Sequence, residues 1–166
     1  MLPVHFDDIT ASTGLDFKHE ENTFSDFDYD RLLFHMNSTL GPKVCVGDLN
    51  GDGTDDIFVC GAQNQAGAVF LQIDGKFVKT KQPALELDAL AEDVVCVFFD
   101  ADHDGDLDLF VGSGGSDGRT FNDRIYINDG KGNFKRAFSA LAEKHNLATG
   151  AVAVADFNND GYKDLF

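Results

Sequence analysis

Five aspartates, Asp100, Asp102, Asp104, Asp106 and Asp108, alternate with other residues, and Gly105 falls between the third and the fourth. Acidic side chains this dense repel one another unless a cation lies between them. The pattern recurs as DLNGDGTDD at 48–56 and DFNNDGYKD at 156–164, beside DADHDGDLD at 100–108. The template is D-x-[DN]-x-D-G-x-x-D, and apolar residues follow each copy. Calcium is a hard cation that takes six to eight oxygens in a flexible shell. Positions 1, 3 and 5 each offer a short oxygen side chain. The glycine at position 6 permits a sharp turn that a Cβ would resist. Position 7 offers its carbonyl, and the aspartate at position 9 closes the shell. The expected ligands are Asp48, Asn50, Asp52, the Thr54 carbonyl and Asp56 in loop one. In loop two they are Asp100, Asp102, Asp104, the Asp106 carbonyl and Asp108. In loop three they are Asp156, Asn158, Asp160, the Tyr162 carbonyl and Asp164. The cofactor expectation is therefore up to three Ca2+ ions.

A helical calcium loop does not fit. It needs a glutamate at position 12 with a helix after it, and position 12 is Val59 in loop one and Val111 in loop two. β-branched and aromatic residues follow the loops, which suits strands. A single copy could be an acidic surface turn. Three copies in register with the same apolar flanks favour the metal.

The elements that must hold these loops are strands. The first aspartates recur about every 50 residues, the period of an array or a propeller. Blade one (41–92) is expected to have strands at 44–46, 56–60, 68–73 and 76–80. Asp74-Gly75 makes a tight hairpin turn between the last two. Pro83 is expected to discourage regular structure in the connector. Blade two (93–149) has expected strands at 94–99, 108–112, 124–128 and 133–138, then a short helix or ordered linker within 139–149. Blade three begins at 150 and runs to 166, partway along its second strand. Residues 4–9 are expected to form an outer strand of the kind that closes a propeller. Residues 11–40 read as a covering loop, with a helical turn or inserted strand at 31–36.

The loops with their strands resemble the FG-GAP/VCBS repeats of integrin-α-like β-propellers, best in DADHDGDLDLFVG at 100–112. The start, Phe6-Asp7-Asp8-Ile9-Thr10 and then Gly14-Leu15-Asp16-Phe17-Lys18-His19, resembles bacterial VCBS proteins related to the ASPIC/UnbV and cartilage acidic protein group. The resemblance implies an all-β fold of four-stranded antiparallel propeller blades. It also implies protein or glycan partners at a propeller face. Propellers use four to eight blades, so about two and a half blades make a partial propeller, or one completed by homo-oligomers through open blade edges. Similar repeats occur in secreted polysaccharide lyases and phospholipases. The alternative reading is thus a non-catalytic or accessory part of a polysaccharide-degrading or lipid-cleaving enzyme.

The 166 residues suit one domain, and 43% hydrophobic content suffices for a core. A formal charge of −16 argues against nucleic acid and against an anionic membrane surface. No apolar run has the length of a transmembrane helix, and no signal peptide opens the chain. Loops of this type suit millimolar calcium. The expected location is extracellular, periplasmic or at the cell surface, as a mature secreted segment with an added start methionine.

Cys45, Cys60 and Cys96 read as small buried hydrophobes. His5, His19, His35, His103 and His145 are scattered, and His103 is expected to face solvent. Residues 112–118 are glycine-rich but lack the Lys-Ser/Thr ending of a phosphate loop. Nearly all paired carboxylates fall on ligand positions. No enzymatic activity is expected of the segment, and its metal is expected to be structural.

Overall fold

Alternating β-branched and aromatic residues build two four-stranded antiparallel sheets and the start of a third. The structure, a computed structural model, describes residues 7–28, 31, 32, 34, 36, 41–114, 122–138, 141 and 148–166. The first sheet is a meander of β1 (Val44–Gly47), β2 (Asp56–Val59), β3 (Ala68–Ile73) and β4 (Lys76–Lys79). The second repeats it with β5 (Asp93–Phe99), β6 (Asp108–Ser113), β7 (Arg124–Asn128) and β8 (Phe134–Arg136). The third pairs β9 (Val154–Ala155) with β10 (Asp164–Leu165). Reciprocal backbone bonds between Ala153 and Phe166 extend it. The expected antiparallel blades are therefore present.

The period-2 pattern decides what each face buries. Phe58 pairs with Cys45 and Val69 across the first sheet, and all three point toward the second. There Leu49, Phe58, Cys60 and Val69 meet Leu109, Val111, Tyr126 and Phe134 in one core. Burying each large apolar side chain contributes about 1.5–3 kcal/mol, so this face-to-face contact is the main join between the blades. Phe99, Phe110 and Ile125 pack on Val152, Val154 and Leu165 in the same way, joining the second sheet to the third.

The outer face of the first sheet carries Val59, Ala68 and Phe70, and the N-terminal segment covers part of it with Leu15 and Phe17. One helical turn, α1 (Thr10–Thr13), precedes these residues. It ends at Gly14 with φ +75, and a Cβ there would stand 2.9 Å from the Phe77 carbonyl. Glycine is required on both counts. Val44 and Val46 share this face with their cross-strand partners Val59 and Ile57, yet stay half exposed.

Several expectations change. Pro83 opens a helix, α2 (Pro83–Leu87), instead of opposing one. At the first helical position its missing N–H is no loss and its fixed φ is already helical. Asp7 to Ile9 run as irregular chain, so the part of the expected outer strand that is described is not a strand. Residues 4–6 and 142–147 lie outside the described residues, as do 115–121, and so do Leu33 and His35 of the element expected at 31–36.

Candidate metal centre

The three aspartate loops join β1 to β2, β5 to β6 and β9 to β10, and all three close with the same hydrogen bonds. At position 1, one oxygen accepts the backbone N–H of position 5: Asp52 to Asp48 at 3.2 Å, Asp104 to Asp100 at 3.1 Å and Asp160 to Asp156 at 3.0 Å. Its other oxygen accepts the glycine N–H of position 6, from Gly53, Gly105 and Gly161 at 2.9, 3.1 and 2.9 Å. At position 5, Asp52, Asp104 and Asp160 accept from Thr54, Asp106 and Tyr162. At position 9, Asp56, Asp108 and Asp164 accept from Leu49, Ala101 and Phe157.

Two positions in each loop turn left-handed. Position 6 is always glycine, with φ of +83, +94 and +94 at Gly53, Gly105 and Gly161. Position 4 is also left-handed, at Gly51, His103 and Asn159. Nothing lies within 4 Å of a Cβ built on Gly105. Gly105→Ala therefore costs conformational energy alone, about 1–2 kcal/mol. Urea unfolding in calcium should record that loss.

The residues fit a hard cation. One oxygen each of Asp100, Asp102 and Asp108 lie within 4.8 Å of one another. The backbone hydrogen bonds to Asp100 and Asp108 leave further lone pairs on both carboxylates. The donor set is all oxygen, the chemistry calcium selects. In loops one and three the third position is asparagine, and its Nδ2 donates to the position 5 aspartate, from Asn50 to Asp52 and from Asn158 to Asp160. Among the described residues, no carboxylate trio converges as closely there as in loop two.

Burial pushes the Asp56 and Asp108 carboxyls above their ordinary value of 3.8, and the other loop aspartates add to the rise. The hydroxyl and N–H of Thr54 hold Asp52 below that value. A carboxyl raised in the folded state contributes stability that is present below its unfolded value and lost as pH rises through its folded value. The calcium-free protein should lose that contribution as pH climbs above 3.8. Calcium bound in the loops would favour the ionised form of both groups, so any stabilising effect of calcium should grow from mildly acidic to neutral pH. Thermal melts with and without calcium across that range check the sign.

Residues outside the template hold the loops in place. The second oxygen of Asp56 accepts from Gln72 on β3 at 2.7 Å, and that of Asp108 accepts from Asn128 on β7 at 2.8 Å. Asn128 goes further. Its Nδ2 donates to the Leu49 carbonyl of loop one at 2.8 Å and the Leu107 carbonyl of loop two at 3.0 Å. Its Oδ1 accepts from Gly132 at 3.0 Å. Gln82 likewise joins the first blade's connector to Gly132 and Phe134. His103 is exposed, as expected, but its ring also lies 5.0 Å from that of Tyr162 in loop three. No local motif marks Asn128 or Gln82; only their burial as polar residues does.

Cys45, Cys60 and Cys96 are free and pack in or against the core between the blades. A hydrogen bond with Cys96, together with burial, pushes the Cys60 thiol up, and a hydrogen bond with Cys45, together with burial, pushes the Cys96 thiol up against the lowering effect of Cys60. They remain protonated and act as small core side chains.

The FG-GAP-like repeat family model matches the chain twice, over residues 48–111 and 100–166. Each match opens on the first aspartate of a loop and takes in two loops. No curated protein matches the chain. Joined to the stacked antiparallel sheets, the two matches identify the chain as a member of the FG-GAP-like repeat family, a β-propeller-type repeat segment.

Proposed function

We propose that this segment is a calcium-stabilised scaffold for recognising a protein or glycan ligand outside the cytoplasm, and that it has no enzymatic activity of its own. The hydrogen-bond network repeated in all three loops carries the proposal. It presents oxygen donors on a backbone already turned to receive an ion. Bound calcium would supply charge neutralisation, lowering the formal −16 to −10 if three ions bind. The chain's own contribution is to tie the first and second strands of each blade at the loop, and to the third strand through Gln72 and Asn128.

The location rests on affinity: loops of this kind suit the millimolar calcium found outside the cytoplasm. Among the described residues no helix is long and apolar enough to cross a membrane. The half-exposed Val44 and Val46 leave an open blade face through which copies of the chain could associate.

Thermal unfolding in millimolar calcium, in magnesium and in chelator tests the metal. An ion that binds only the folded state stabilises it by about 2.7 kcal/mol per site at a hundredfold excess over Kd. The expected result is a large rise in Tm with calcium that magnesium does not match. Equal Tm in calcium and chelator would remove the basis of the proposal. Glycan arrays and protein capture, each with and without calcium, then address the ligand.

A further inference from the structure

At the opposite end of the sheets from the aspartate loops, the structure brings together His19, Glu21 and Glu92. In these meanders the first and second strands join at one end, while the second and third strands, and successive blades, join at the other. Glu92 lies just before β5, and its Oε2 accepts the N–H of Gln63 in the β2–β3 loop at 2.8 Å. The N-terminal segment crosses the same loop. Asn22 donates to Gln63 at 2.8 Å, Gln65 donates to the Lys18 carbonyl at 2.7 Å, and the Glu20 N–H donates to Gln65 at 3.1 Å.

That segment alternates. Leu15, Phe17 and His19 turn inward, while Asp16, Lys18 and Glu20 face solvent. The pattern would put a third apolar side chain at position 19. A histidine stands there instead, with its side chain 10% exposed. Its Nε2 lies 2.7 Å from Glu21 Oε1, and its Nδ1 is buried with no hydrogen-bond partner. Gly41 leaves the ring its room, since a Cβ there would come within 3.2 Å of it. Glu92 is 4% exposed, a buried carboxylate in a strongly acidic chain.

One ring nitrogen of His19 and one oxygen each of Glu21 and Glu92 lie within 4.8 Å of one another. We propose that His19, Glu21 and Glu92 bind a first-row divalent transition ion such as zinc, clamping the N-terminal segment onto the junction between the first two blades. The imidazole nitrogen separates this site from the all-oxygen loops, because it favours zinc over calcium or magnesium. Two carboxylates neutralise the dication. Three protein ligands leave a fourth position for water. Tetrahedral ligands at about 2.0–2.2 Å from the ion stand roughly 3.4 Å apart, so the ion would take the place of the His19–Glu21 hydrogen bond.

The test is a zinc titration of the full chain by calorimetry, in saturating calcium and again in calcium-free buffer. The expected result is one Zn2+ per chain in both buffers. His19→Gln and Glu21→Gln should each weaken it by at least about tenfold while keeping the far-UV spectrum. Glu21 is the more exposed of the two, so its variant keeps the test independent of folding. Cys96→Ser and Asp102→Asn should leave zinc binding unchanged, since their side chains lie elsewhere. No zinc uptake, or uptake indifferent to both His19→Gln and Glu21→Gln, overturns the proposal. Because the calcium loops lie at the other end, failure of either metal leaves the other result standing.

Discussion

Asp108→Asn should destabilise the protein by about 2–3 kcal/mol in chelator and by roughly another 2.7 kcal/mol in excess calcium. Asp108 is fully buried, and its two oxygens accept the N–H groups of Ala101 and Asn128, each at 2.8 Å. An amide offers one acceptor where the site needs two, so one buried N–H meets an NH2 group instead. That penalty is independent of metal. The calcium-dependent part is added because position 9 is a ligand in our account. Asp102→Asn separates the two effects. Asp102 is exposed, so its replacement should cost nothing in chelator and act only in calcium. Urea unfolding of both variants in both conditions measures the four values. Identical behaviour in chelator would refute the buried-acceptor role of Asp108.

Asn128→Ala should cost about 3 kcal/mol in chelator and more in excess calcium. The side chain is 3% exposed and makes three bonds, to the Leu49 carbonyl, the Leu107 carbonyl and the Gly132 N–H. Alanine leaves all three groups buried without that partner. Leu49 belongs to loop one and Leu107 to loop two, so the change also loosens the frame of both candidate sites. Calcium affinity at both should fall together, while loop three, held through other contacts, keeps its own. Asn133→Ala is the control, because that side chain bonds only to Asp129 on an exposed turn; its effect should stay within about 0.5 kcal/mol. A calcium titration and a urea melt on both variants decide it.

The loops and strands were legible because their signals are local. Aspartate and glycine spacing specifies the turns, and the strand beginning at Ala68 and the one beginning at Arg124 run as their alternation implies. Asp74 and Gly75 both take positive φ, as a tight hairpin demands. What joins the blades was not legible. Asn128 reaches a carbonyl 79 positions away, and no window of sequence contains both ends. Pro83 reads as a breaker unless its place at the first turn of a helix is known. The row of three thiols, the contact of His103 with Tyr162, and the approach of His19 to Glu92 all depend on how sheets stack. Stacking is a property of whole faces, and no single residue encodes it.

Calorimetric titration of the metal-free chain with calcium tests the central claim most directly. The account predicts three calcium ions per chain, one for each of the loops that begin at Asp48, Asp100 and Asp156, and no comparable uptake of magnesium. A chain that keeps its β-sheet spectrum yet takes up no calcium would contradict it.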